Sequence, residues 1–186
     1  MKRCTWAEAE SMQEYHDTEW GVPVHDDRKI FEFLILESAQ AGLSWQTILK
    51  RRSGYRKAFA NFDPIKVAKY DEKKKAQLLK DIGIIRNKLK IKAAVNNAKS
   101  FLKIQKEFGS FDKYIWQFVN GKTINNKIKS MKEVPVMTEE AEALSKDLKE
   151  RGFSFVGPTI MYAHMQATGM VNDHEVGCFR YGKVQQ

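Results

Sequence analysis

From Asp27 to Ala41, apolar residues fall at Ile30, Phe31, Leu34 and Ile35, the spacing of one face of an α-helix. Gly42 is placed to end that helix. Ser44 then caps a second one, running from Trp45 through Ile48, Leu49 and Tyr55 to about Phe59. Asp63-Pro64 reads as a cap followed by proline at the first helical position, and Asp71 starts a helix through Leu78 and Leu79. After Gly83 comes a helix bearing Ile91, Ala94, Val95, Ala98 and Leu102. Ser110 caps one with Tyr114, Ile115 and Phe118. Thr138, followed by Glu139 and Glu140, opens a helix that reaches Leu148 and stops at Gly152. Pro158 opens the last long one, through Ile160, Met161 and Met165 to Gly169. Alternating patterns are scarce, and Phe153-Ser154-Phe155-Val156 is too short to build a sheet. The pattern predicts an all-α fold.

The chain has 186 residues, enough for one compact domain or two small lobes on a shared core. Gly121 to Met137, polar and rich in Asn and Lys, is the best candidate for a loop or lobe junction. An apolar share of 42% excludes a wholly disordered chain. With 32 Lys and Arg against 23 Asp and Glu, the net charge is +9, which favours a polyanionic partner, nucleic acid ahead of a membrane surface. No apolar stretch approaches the roughly 20 residues that cross a bilayer. Met1-Lys2-Arg3-Cys4 runs straight into Trp6 and polar residues, so no N-terminal signal is expected. Two cysteines make no disulfide scaffold, and a reducing cytoplasm is the simplest home.

Four features carry candidate chemistry. Cys4 and His16 near one end, with His174 and Cys178 near the other, form a Cys₂His₂ set suited to a tetrahedral zinc ion. His174 and Cys178 are spaced one helical turn apart, whereas Cys4 and His16 need a loop. Two free cysteines and two solvated histidines are the alternative, since no CxxC pair is present. Glu37 lies among Phe33, Leu34 and Ala41 on an apolar helix face, where a carboxylate either finds a partner or stays neutral. It is either a pocket acid or a structural one, paired with Arg or Lys or reaching solvent at a helix end. Trp6, Tyr15, Trp20 and Trp45 offer faces on which a flat base stacks, more strongly when it is cationic. Ordinary core packing is the more usual role for any one of them. Lys80-Asp81-Ile82-Gly83-Ile84-Ile85-Arg86-Asn87-Lys88 places a glycine turn before a basic helix, whose amides and charges (Arg86, Lys88, Lys90, Lys92) suit a DNA phosphate. An ordinary helix–turn–helix connection would look the same.

In order along the chain, Arg3-Cys4-x-Trp6, Tyr15-His16-Asp17-x-Glu19-Trp20-Gly21-Val22-Pro23, Leu36-Glu37-x-x-Gln40-Ala41-Gly42-Leu43-Ser44-Trp45, Gly83-Ile84-Ile85-Arg86, Leu144-Ser145-Lys146-x-Leu148-Lys149-x-Arg151-Gly152-Phe153, Phe155-Val156-Gly157 and Val171-Asn172-Asp173-His174 resemble the DNA-3-methyladenine glycosylase I family of the helix–hairpin–helix superfamily. The resemblance implies a single domain over 1–186 with a two-lobe helix–hairpin–helix fold, the hairpin at about 78–92. It implies a structural zinc on Cys4, His16, His174 and Cys178 that ties the termini together. It implies a base pocket lined by Glu37, Tyr15 and Trp45, with Trp6 and Trp20 close by, and a hairpin around Gly83, Ile84, Ile85, Arg86 and Lys88 that grips the DNA backbone. Ile84-Ile85 stands where the wider superfamily often has a second glycine, and no catalytic aspartate is implied.

The implied reaction is release of N3-methylated adenine from alkylated double-stranded DNA, without a lyase step, by a monomeric cytoplasmic enzyme. Glu37 would accept hydrogen bonds from the base. Leu43 would fill the space the base leaves. A zinc-stapled DNA-binding module without catalysis shares the charge and the hairpin but has no use for a buried acid among aromatics. A zinc nucleobase deaminase would call for a CxxC pair and an open metal position.

Overall fold

A computed structural model describes residues 1–184. Nine helices account for most of them: α1 (Glu10–Thr18), α2 (Asp27–Gln40), α3 (Trp45–Ala58), α4 (Pro64–Val67), α5 (Glu72–Leu78), α6 (Lys88–Phe108), α7 (Phe111–Ile115), α8 (Glu139–Glu150) and α9 (Pro158–Ala167). The caps read from the sequence do their expected work. Ser44 accepts from the amide of Thr47, Asp71 from Lys74, Ser110 from Lys113 and Thr138 from Ala141. Asp63 accepts from two amides, those of Ile65 and Lys66, with Pro64 at the first helical position. Each bond satisfies an amide that the helix itself leaves open, and a cap is worth about 1 kcal/mol.

Helix α2 is the axis of the molecule. It packs against α3, α6, α7 and α9, and every residue from Ile30 to Ala39 is buried. A helix surrounded on all sides should be apolar all round. The two acids in this run, Glu32 and Glu37, are therefore the exceptions to explain. Glu32 is accounted for by Arg52 at 2.7 Å and Lys29 at 3.4 Å. Around α2 the main core gathers Phe31, Phe101 and Phe111, with the last two rings stacked at 4.1 Å. Each large apolar side chain buried here contributes about 1.5–3 kcal/mol.

A second, smaller cluster joins Cys4, Tyr15, Trp20, Phe33, Ala167 and Cys178 where the two ends of the chain meet. Two residues of the long loop, Ile124–Asn125 (β1), pair in parallel with Val171–Asn172 (β2). This two-residue ladder is too short to read as alternation. It leaves the fold essentially helical while fixing the approach to His174.

The structure gives two segments their local form, and His174 and Cys178 do come from one of them. They do not lie on a helix. The segment leaves β2 and closes a tight turn in which the Cys178 amide donates to the Glu175 carbonyl at 2.7 Å. The stretch from Cys4 to His16 is not simply a loop either. A 3-10 turn, Thr5–Ala7, leads into α1, whose last turn carries His16. Among the described residues no helix is long and apolar enough to cross a membrane.

Candidate active site

Glu37 occupies the last turn of α2. A cavity of about 290 Å³ opens beside it, lined by Trp6, Tyr15, Trp20, Glu37 and Trp45, and also by Met12, Gln40, Met131, Val134, Ala163 and Gln166. The structure places the first five around one cavity. Tyr15 and Trp45 approach at 5.5 Å between ring centres, and Trp6 meets Trp20 edge-on at 4.9 Å. The walls are apolar and aromatic, the usual composition of a small-molecule site.

Three polar atoms of the cavity's lining residues have no partners among the described residues. Glu37 Oε2, Trp6 Nε1 and Trp45 Nε1 are all buried and make no hydrogen bond among the described residues. Buried polar groups in folded proteins are nearly always paired, so three orphans around one cavity point to a missing ligand. Burial alone pushes the Glu37 carboxyl well above the usual range, and no charged neighbour contributes. The structural-acid alternative, in which Arg or Lys would hold the group ionised, therefore fails. Burial, and then the charge of Glu37, push the Tyr15 phenol well up, so it stays protonated.

Behind the aromatic wall lies the cluster of Cys4, His16, His174 and Cys178, all buried, with their donor atoms within 4.8 Å of one another. Cys4 Sγ is 3.4 Å from His174 Nδ1, and Cys178 Sγ is 3.4 Å from His16 Nε2 and 3.7 Å from His174 Nδ1. The remaining ring nitrogens are held from outside. His16 Nδ1 meets Asp17 Oδ1 at 2.8 Å, and His174 Nε2 meets the Trp20 carbonyl at 3.0 Å. Those acceptors fix each N–H on the outer nitrogen and turn the inner lone pair toward the thiols. Asp17 is in turn gripped by Arg3, whose guanidinium holds the carboxyl down at about 2. The cluster supports the cavity's aromatic wall from behind. His174 packs edge-on against Trp20 at 4.6 Å, and His16 against Trp6 at 5.3 Å. Gly21 makes this possible: its φ is +77°, and a Cβ there would lie 2.9 Å from His174 Nε2.

Leu43, in the turn between α2 and α3, is 36% exposed. Gln40 donates to its carbonyl and so braces the turn. Farther along, the hairpin between α5 and α6 uses its own amides internally. Gly83 donates to Asp81 Oδ1 at 2.8 Å, Ile84 to the Asp81 carbonyl at 3.4 Å, and Ile85 to the Tyr55 hydroxyl at 3.2 Å. Ile84 is buried in the core. Gly83, Ile84 and Ile85 thus shape and anchor the turn, while Arg86 and Lys88 face outward beside the exposed Ile82 and Leu89.

The methyladenine glycosylase pattern matches residues 6–181. The chain belongs to this family. It is 47% identical over 182 residues to DNA-3-methyladenine glycosylase 1 of Escherichia coli (strain K12), covering 97% of each chain. A crystal structure of a 3-methyladenine DNA glycosylase I superposes with a TM-score of 0.93 at 46% identity, over 96% of this chain and 98% of that one. The Staphylococcus aureus 3-methyladenine DNA glycosylase I, whose structure addresses recognition of 3-methyladenine, matches with a TM-score of 0.93 at 37% identity, over 96% of both chains. Family membership accounts for the helical fold and makes the chain a DNA glycosylase, a hydrolase that acts on DNA.

Sequence reasoning did not single out Met12, Gln40, Ala163, Gln166, Met131 or Val134 as lining residues. Met12 lies one turn before Tyr15 and Gln40 one turn after Glu37, so helical spacing alone pointed to them. Ala163 and Gln166 are likewise one turn apart on α9, but only the tertiary fold brings α9 to the cavity.

Proposed function

We propose that this protein removes N3-methylated adenine from alkylated double-stranded DNA by hydrolysing the N-glycosidic bond, leaving an abasic site. The observation that carries the reading is Glu37, a buried carboxyl with a free oxygen inside an aromatic cavity. A duplex hides its bases, so the base must be flipped out to reach such a site. In the cavity Tyr15 and Trp45 flank the ring, with Trp6 and Trp20 behind them, and Glu37 accepts hydrogen bonds from its N–H groups. An adenine methylated at N3 is cationic in the nucleoside and leaves as a neutral base. Little protonation of the leaving group is needed, and Glu37 serves as the catalytic residue by holding the departing base. Water completes the hydrolysis. Normal adenine has a strong glycosidic bond and no positive charge to attract the site, so it does not react.

Leu43 fills the space left in the duplex, and Arg86 and Lys88, on the hairpin shaped by Gly83, Ile84 and Ile85, meet the DNA backbone. The helix–hairpin–helix spans about 78–92 within a single two-lobed domain, and the protein acts as a monomer in the cytoplasm.

Cys4, His16, His174 and Cys178 would hold one structural zinc ion. Around tetrahedral zinc, S···N edges of about 3.6 Å follow from Zn–S near 2.3 Å and Zn–N near 2.0–2.1 Å, and the observed separations of 3.4 to 3.7 Å suit them. Four protein ligands leave no position for a reactive water, so the ion would supply rigidity to the wall formed by Trp6 and Trp20.

The test is incubation with methylated duplex DNA and chromatographic identification of the released bases. Selective appearance of 3-methyladenine, with no Schiff-base adduct after borohydride, is the expected result. DNA binding with no base release would favour a zinc-stapled binding module instead.

A further inference from the structure

Gln166 is the one cavity residue whose side-chain amide is pinned at one end by a buried carboxylate. Its Nε2 donates to Asp173 Oδ2 at 2.7 Å. Asp173 is 1% exposed and also accepts from the Tyr162 hydroxyl at 2.5 Å and from Asn126 Nδ2 at 2.7 Å. A carboxylate surrounded by donors has only acceptor sites, so the nitrogen end of the Gln166 amide must face it. The oxygen end is then left for the cavity that Gln166 lines, and no donor among the described residues engages it. The position is equally fixed. The Gln166 carbonyl accepts from the Gly21 amide at 3.0 Å, which docks the end of α9 beside Trp20. Glu37 on α2 lines the same cavity and brings a second acceptor.

We infer that Gln166 is a specificity-determining residue: its amide oxygen, oriented by Asp173, accepts a hydrogen bond from the exocyclic amine of the flipped base. This rests on the base-pocket reading above and deepens it. Two acceptors lining the same cavity welcome an amino group. A carbonyl oxygen in the same place meets lone pairs and loses its own hydrogen bonds, so a 6-oxo purine is rejected. Asp173 acts as a positioning residue, because it touches Gln166 and not the base.

The experiment titrates free 3-methyladenine and 3-methylhypoxanthine, which carries oxygen in place of the amine, into the zinc-containing protein. Tryptophan fluorescence from the cavity reports binding. The wild type should bind 3-methyladenine at least about tenfold more tightly than the 6-oxo analogue. Gln166→Met, with its fold verified by circular dichroism, should lose most of that ratio and bind 3-methyladenine about tenfold more weakly. Asp173→Asn is the second variant. It lets the amide turn its nitrogen to the cavity, so the ratio should fall or invert, an effect that mere loosening of the fold does not produce. An unchanged ratio in both variants, or in whichever one folds, overturns the proposal. A wild type that neither binds 3-methyladenine nor releases it from DNA would instead overturn the underlying reading of the pocket.

Discussion

Lys90 Nζ lies 2.6 Å from the carbonyl oxygen of Ala41 and 2.8 Å from that of Ala39. Lys90 belongs to the first turn of α6, just beyond the hairpin, and Ala39 and Ala41 close α2, the helix that carries Glu37. A cation at a helix C-terminus satisfies carbonyls the helix leaves open and complements its dipole. The same contact ties the hairpin side of the molecule to the turn bearing Leu43. Lys90→Met should therefore cost about 1.5–3 kcal/mol of stability, the worth of a charge-assisted hydrogen bond. It should also slow base release, because the Glu37 end of α2 loses its brace. Urea unfolding and single-turnover kinetics measure the two effects. A variant with wild-type stability and rate would show that the contact is incidental.

Glu37 should make the protein less stable while making it active. Its carboxyl is raised by burial, so between the ordinary glutamate value of 4.5 and its higher value in the fold, the folded chain holds more protons than the unfolded one. Stability contributed by the neutral acid is then present at low pH and lost as pH rises through that window. Glu37→Gln removes the dependence. Its Tm should exceed that of the wild type at neutral pH, and the two should converge below about pH 4. A wild type that is the more stable of the two at neutral pH would mean that Glu37 is held ionised by a partner.

Gly54 sits inside α3, where glycine is a poor helix former, because the hairpin backbone crosses there. A Cβ on Gly54 would lie 2.2 Å from the Gly83 carbonyl oxygen. Gly54→Ala must push the hairpin away. It should destabilise the protein by about 1–3 kcal/mol, the range for overpacking. Because the hairpin presents Arg86 and Lys88, affinity for undamaged duplex should fall as well. Thermal melting and a salt-dependent DNA titration check both. Intact DNA affinity with a lowered Tm would place the DNA contact elsewhere.

Metal analysis should return one zinc per chain, and a strong chelator should lower Tm, since the proposed ion would join segments from the two ends of the chain. Cys178→Ser should weaken zinc retention and stability far more than it weakens the chemical step measured in the folded, zinc-loaded variant. Loss of catalysis from a fully folded, zinc-replete variant would contradict a purely structural ion.

The helices were legible because their signals are local. Ser44, Asp63, Asp71, Ser110 and Thr138 each cap within a few residues, and the apolar spacing of α6 needs no tertiary knowledge. Helix α1 escaped because Glu10–Thr18 is mostly polar, with only Met12 and Tyr15 as large apolar residues. It is held by its packing, with Tyr15 and His16 buried against distant segments. The turn at Cys178 escaped for a related reason: a three-residue gap between two ligands suits either a helix or a tight turn, and the pairing of Val171–Asn172 with Ile124–Asn125 decides between them. In the cavity, Glu37 was legible as an acid on an apolar face. Gln166 was not, since an isolated glutamine on α9 carries no sign that Asp173 will fix its amide.

The central claim is that Glu37, in its aromatic cavity, is what engages the damaged base. The most direct measurement compares wild type and Glu37→Ala for single-turnover release of 3-methyladenine from methylated duplex DNA, with both proteins shown to be folded. The account predicts rapid release by the wild type and a loss of at least about a hundredfold in the variant, the scale for removing one key group in a catalytic site. Undiminished release by Glu37→Ala would contradict it and move the chemistry to another part of the molecule.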